Sequence, residues 1–445
     1  MFRPVGRAFV GLFLLAASAG SLLLHAQTTT PADPSDPFFD DSQVQSISIN
    51  INSRDWESLK QNYLDNTYYP CDFKWNGQTV RNIGIRSRGT GSRSGVKPGL
   101  RVDFDRYTTS QTFLGLKSFI LRNQTQDASN MHERLSMQLF QRLGVKVSRE
   151  AFTKLFINNT YEGLYTIVES VDKTFLKKSF GENDGYLYKY DYNADDTPYY
   201  FEDRGPNGDL YVPHPFKPET NETDPHPDPI GQLIHLLGND SDAVFPTTVA
   251  PYIDWDNFTR HIAIENVLAD QDGFNGDYGV NNFYWYRLQN KNLFIWIPWD
   301  KSEAFKNGPS LAIFHNFLDG VPGKRNRLSA RAMTLPGVQV MYLDRLLDAA
   351  MSLRQLDDQN PADTRGWMER EIQREYDQIR DLVYADTEKP FTNAEFEADV
   401  EKLRTFARER PAFVENAVAE WKQQRGLAVP ARTLSSGRIL ANPRR

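Results

Sequence analysis

Cysteine is all but missing from this chain: Cys71 stands alone in 445 residues. An intramolecular disulfide and a cysteine-based metal cluster are therefore excluded. A basic excess is lacking too. Lys and Arg number 51 against 58 Asp and Glu, a formal charge of −7, which argues against a general nucleic-acid binder. A local basic patch would still suffice for a nucleotide. Beyond the N-terminal segment, no stretch is apolar enough to cross a membrane. Apolar and aromatic residues are plentiful, at 40% and 13% of the chain. They can fill a substantial core in one large or two closely coupled domains. Helix-like and strand-like segments both occur, so the expected class is α+β.

Arg3 and Arg7 precede an apolar segment, Ala8 to Leu24, that ends in LLHA. This is the layout of a secretory signal peptide spanning residues 1–26, with cleavage after Ala26. An uncleaved anchor, the alternative, needs a more strongly apolar span of ~20 residues. The mature protein is expected to be secreted or extracytoplasmic, in the periplasm or at the cell surface, with no stable membrane span. Residues 27–43, rich in Thr, Pro, Ser and Asp, read as a flexible leader. Alternation over 44–51 then predicts a half-buried strand, and Ser53 a helix cap. CDFKWNGQTV, NIGIRSRG and GLRVDFDRY continue a β-rich section, with a turn at Asn76-Gly77. In DASNMHERLSMQLFQRLG, Met131, Leu135, Leu139 and Leu143 recur every four residues, which predicts a helix started by Asp127 or Ser129. AFTKLFI and GLYTIVE flank Asn158-Asn159 as a hairpin. Residues 191–229 read as a long surface excursion, the chain after Phe305 as mostly helical, and 425–445 as a disordered tail.

Three stretches carry candidate chemistry. RSRGTGSRSGVKPGLRVDF places Gly89, Gly91 and Gly95 beside Arg88, Arg93 and Lys97. Bare backbone and positive charge together suit an anion, although an exposed hairpin loop with solvated arginines has the same composition. LADQDGFNGDYGVNN offers Asp272 as a general base and Asn282 as an oxygen ligand for a cation. A turn whose Asp and Asn satisfy their own backbone is the bland alternative. FIWIPWDKSEAF runs an apolar strand straight into Asp300. A carboxylate there is costly unless it meets a metal, a hydrogen-bond network or a substrate. Asp300 is thus a candidate ligand for a divalent metal bridging phosphate oxygens, against the alternative of a structural cap. One of Glu133, Arg134 and Glu169 could orient Lys97, although a surface ion pair is the default reading of these residues. Asp272 and Asp300 would also serve a carbohydrate hydrolase as a carboxylate pair. Trp75, Tyr199, Tyr200 and Trp285 suit sugar stacking or a core equally.

These motifs occur in an order that resembles the CotH family, the atypical protein kinases first recognised among bacterial spore-coat proteins. The resemblance rests on RGTGSRSGVKPGLRVDF, FLGLKSFILRNQTQDASNMHERLSMQLFQRLGV, LFINNTYEGLYTIVESVDKTFLKKSFG, GYLYKYD, LADQDGFNGDYGVNNFYWY and FIWIPWDKSEAF. It implies a divergent two-lobed kinase-like fold over 44–424, with a β-rich lobe at about 44–170 and a helical lobe at about 171–424. It also implies ATP with Mg²⁺ or Mn²⁺, and transfer of the γ-phosphate to Ser or Thr of a protein substrate. By motif, Lys97 matches the phosphate-contacting lysine and Arg88 its basic neighbour. Asp272 matches the catalytic base, and Asp300 the first acid of the W-D-x-D motif. Asn282 opens the strand between them. Where the family commonly has W-D-L-D, this chain has Trp299-Asp300-Lys301-Ser302, with the next acid at Glu303. That departure keeps open an inert module for surface assembly or adhesion.

Overall fold

Strand alternation in the first third of the chain closes on itself. The computed structural model describes Met1, residues 33–191 and residues 198–427; the expected signal segment and nearly all of the tail lie outside the described residues. Strands β1 (Gln45–Ile51), β2 (Tyr69–Trp75), β3 (Gln78–Ser87), β4 (Leu100–Asp103), β5 (Ser118–Arg122), β6 (Glu150–Ile157) and β7 (Thr160–Glu169) form a closed barrel in the order β1-β2-β3-β4-β5-β7-β6. Helix α1 (Ser53–Gln61) follows β1 and α2 (His132–Arg142) precedes β6. Every neighbouring pair is antiparallel except β1 with β6, which closes the barrel in parallel. In β1 the alternate residues Ile47, Ile49 and Ile51 point inward, as a strand with one buried face requires.

The barrel interior corrects the expectation for the leader. From residue 33 the chain is packed, and Asp36–Phe39 forms a 3₁₀ turn. Phe38 is fully buried and meets Phe73, Trp75, Phe113 and Phe119 edge-on, with ring centroids 5.1–6.2 Å apart. Two adjacent phenylalanines outweigh the polar composition around them, because each hides a large apolar area and gains from edge-to-face contact.

After the barrel come α3 (Lys173–Phe180), β8 (Tyr186–Tyr190), β9 (Phe216–Pro218), α4 (Asp228–Asn239), α5 (Phe245–Val249) and α6 (Trp255–Val267). The hairpin β10 (Phe283–Arg287) and β11 (Phe294–Pro298) follows, then α7 (Arg327–Ala332), α8 (Pro336–Leu353), α9 (Trp367–Ala385) and α10 (Asn393–Gln424). A second, antiparallel sheet runs β11-β10-β8-β9, and helices α6, α8, α9 and α10 pack around one another. The fold is thus mixed α+β, β-rich in its N-terminal part and helical toward its C-terminus. No helix among the described residues is long and apolar enough to cross a membrane.

The surface excursion expected at 191–229 is also corrected over its described part. Tyr199, Phe201, Tyr211 and Phe216 are buried in the core around the second sheet, and β9 pairs with β8. Polar residues dominate that segment's composition, but its aromatics set its position. Trp75, Tyr199, Tyr200 and Trp285 are all at most 7% exposed, which removes the sugar-stacking use of these rings.

Candidate active site

The site forms at the open end of the β10–β11 hairpin. Phe283 pairs with Pro298, and the Asn282 carbonyl accepts the Trp299 amide at 3.1 Å, so Asn282 and Asp300 flank the same hairpin end. Both have positive φ, 55° and 52°, a conformation that Asn and Asp adopt more readily than most residues. Asp272 sits on the turn beyond α6. Its carboxylate accepts the side-chain amides of Asn281 at 2.8 Å and Asn282 at 2.9 Å. Burial pushes its pKa up to about 7; the Asn281 hydrogen bond opposes this, and the Asp270 and Asp300 charges add to it.

Asp300 lies in a field of cations. Its Oδ1 is 2.7 Å from Arg122, which also reaches Glu133 at 3.2 Å. Burial alone would raise its pKa, but Arg122, then Arg88 and Lys189, hold it down to about 2. The Arg122 and Arg88 guanidinium groups lie 5.0 and 5.9 Å from the centroid of the Trp299 ring. Neither Arg88 nor Lys189 has a hydrogen bond or ion pair from its side chain among the described residues. Burial lowers the pKa of both, and Arg88 falls to about 10. Two half-buried cations without a side-chain partner among the described residues, beside a carboxylate, are an incomplete charge set that an anion would complete.

The structure therefore brings together Arg88, Asp272, Asn282 and Asp300, but not Lys97. The Lys97 ammonium is 1% exposed and lies 2.6 Å from Asp386 and 2.9 Å from the Leu164 carbonyl, joining the barrel to the loop after α9. Arg122, Glu133 and Lys189 stand at the site in its place. Their signals were present in the sequence: Arg122 ends a fully buried strand, Asp300 follows a mostly buried one, and Lys189 shares a strand face with buried Leu187. Glu133, Arg134 and Glu169 are not surface residues, being at most 2% exposed.

Oxygen ligands for a hard cation are available. Asp300 Oδ2 and Asn282 Oδ1 receive no hydrogen bond among the described residues, and carboxylate and amide oxygens suit Mg²⁺ or Mn²⁺. Where a second acid was expected, the Ser302 hydroxyl donates to Asp300 Oδ1 at 3.3 Å, and Glu303 pairs instead with Lys306 at 2.7 Å. A separate cluster, Asp127, His132 and Asp399, has its ligand atoms within 4.8 Å of one another. Asp127 already accepts the Ser129 and Asn130 amides and the Ser129 hydroxyl on Oδ1, and the His132 amide on Oδ2. His132 also contacts the Ser302 carbonyl at 3.0 Å and Asp399 at 3.3 Å. Despite burial, Asp127, Asp399 and the Ser302 carbonyl raise its pKa, which favours the imidazolium that would pair with both carboxylates.

Comparison with known proteins finds a matching family and two relatives. A family model described as CotH kinase protein matches residues 85–414, from within β3 into α10. Inner spore coat protein H of Bacillus subtilis is 24% identical over 378 residues, spanning 84% of this chain and 98% of that protein. Spore coat protein homolog 1 of Rhizopus delemar is 22% identical over 279 residues, spanning 60% of this chain and 42% of that one.

Proposed function

This chain belongs to the CotH family, and we propose that it is an exported atypical kinase. It transfers the γ-phosphate of ATP to Ser or Thr of an extracytoplasmic protein, with Mg²⁺ or Mn²⁺. One observation carries the reading: Asp272, Asn282 and Asp300 gather at one hairpin end, facing Arg122 and the unpaired Arg88 and Lys189. In this reading the barrel is the N-terminal lobe, the second sheet and helices are the C-terminal lobe, and nucleotide lies between them. Arg122 on β5 pairs with Glu133 on α2, similar in kind to the strand-lysine and helix-glutamate pair of protein kinases.

Arg88, Arg122 and Lys189 orient and neutralise the phosphate chain. Asp272 accepts the proton of the attacking hydroxyl as its oxygen bonds to phosphorus and the bond to the departing ADP oxygen breaks. Asp300 and Asn282 would hold a divalent ion, which would supply further charge neutralisation for the phosphate chain. The apolar segment Ala8 to Leu24 supports export, and the negative net charge fits a protein acceptor better than a nucleic acid.

The test is incubation of the purified protein with radiolabelled ATP and Mg²⁺ or Mn²⁺, beside Asp300→Ala and Asp272→Ala. Label is expected on the protein or a generic acceptor with the wild type and on neither with the variants. Ser302 at the position of the second acid, with Asp300 tied to Arg122, is what favours the other reading, an inert module for surface assembly or adhesion. Absence of transfer would support that module.

A further inference from the structure

We infer that Lys301 is a positioning residue that ties the two acidic segments of the site to each other; this rests on the kinase reading above. Lys301 follows the candidate metal ligand directly, and a positive charge there would be expected to oppose a cation. The structure turns it away. Its ammonium is fully buried, 2.5 Å from Glu265 Oε1 and 3.0 Å from Asp270 Oδ2, and donates to the Asn282 carbonyl at 3.2 Å. It thus donates to Glu265 and the Asn282 carbonyl and is paired by charge with Asp270, so the ammonium faces these three oxygens rather than a ligand.

Each contact leads to a site residue. Asp270 Oδ1 accepts the Asp272 amide at 3.1 Å, so the ammonium sets the turn that carries the base through Asp270. The Asn282 carbonyl that Lys301 meets also accepts the Trp299 amide, the bond that closes the hairpin beside Asp300. Glu265 accepts the Phe274 amide at 2.8 Å, fixing the other side of the same turn. The Lys301 backbone amide donates to Glu133 at 2.7 Å, the carboxylate that also holds Arg122. One residue thus connects α2, the end of α6, the Asp272 turn and both strands at the open end of the hairpin. The packing leaves no slack: a Cβ on Gly273 would lie 2.6 Å from Asp270 Oδ2 and 2.9 Å from Glu265 Cδ. Two buried carboxylates with no cation between them would repel each other, and even with both neutral the turn would lose its tie to the Asn282 carbonyl and so to the hairpin.

The test separates folding from positioning. Lys301→Met alone strands two buried acids and can fail to fold, so it is compared with the combination Lys301→Met, Glu265→Gln and Asp270→Asn. That combination removes all three charges and keeps the carbonyl oxygens that accept the Asp272 and Phe274 amides. With wild type and combination folded equally by thermal melting, kcat and KM for ATP are measured separately. We expect kcat to fall about 100-fold, the scale of an ångström-level misplacement. KM should change less than about threefold, because Arg88, Arg122 and Lys189 are untouched. Lys301→Arg, which keeps the cation between the two acids, should retain most of the wild-type kcat. A combination variant with wild-type kcat overturns the role of Lys301 and leaves the kinase reading standing. A wild type that transfers no phosphate overturns both.

Discussion

Asp272→Asn is expected to lower kcat for phosphoryl transfer by about 10²–10⁴-fold, the range for loss of a general base. The substitution is nearly isosteric but gives up one of the two hydrogen bonds that Asp272 accepts from Asn281 and Asn282, so folding is checked by thermal melting beside the rate. The pH profile makes the claim sharper. Burial pushes the Asp272 pKa up to about 7, and a base works only when deprotonated. In the wild type, kcat/KM should therefore rise about tenfold per pH unit below 7 and level off above it. An acid limb that stays flat down to pH 5 would contradict the assignment. Linkage runs the opposite way for stability. The folded pKa lies above the unfolded one, so the folded state binds the extra proton, and this group's contribution declines as pH rises from about 4 to about 7. The wild type is accordingly expected to gain less stability between about pH 4 and 7 than Asp272→Asn, which lacks the titrating group.

Lys97→Met should produce the largest loss of stability, about 3–5 kcal/mol, because it leaves Asp386 buried without its cation. Asp386 also accepts the amides of Leu164, Glu388 and Lys389, and it packs on the bare backbone of Gly163. The carboxylate cannot turn to water without giving up those bonds. A drop in Tm of roughly 5–15 °C is expected, with most of it recovered in Lys97→Met with Asp386→Asn. ATP affinity of the folded protein should not change. An affinity loss above about tenfold at unchanged Tm would instead return Lys97 to the phosphate-binding role its motif implies.

Legibility of the site in the sequence follows the range of the interactions involved. Asp300 is visible because a buried strand followed at once by a charge is a local anomaly, and Asp272 and Asn282 because they border the same hairpin. The α2 helix is visible from its apolar period of four. Lys97 reads differently because its partner, Asp386, is 289 residues away and no local pattern announces that pair. Barrel closure has the same cause: β1 meets β6 in parallel across most of the N-terminal region. Phe38 and the aromatics of 198–216 were obscured by polar neighbours, where composition averaged over a window conceals one or two decisive rings. Arg122, Glu133 and Lys189 lie on elements whose buried character the sequence did show. Their convergence on Asp300 is a tertiary fact.

The central claim is that this hairpin end holds a metal–nucleotide complex. Calorimetric titration of ATP into the purified protein, with Mn²⁺, with Mg²⁺ and with chelator, tests it directly when repeated on Asp300→Ala. The account requires binding with metal that weakens at least about tenfold in chelator and in Asp300→Ala, the scale of one charge-assisted contact. Binding that is indifferent to both metal and Asp300, or no binding under any condition, would contradict it.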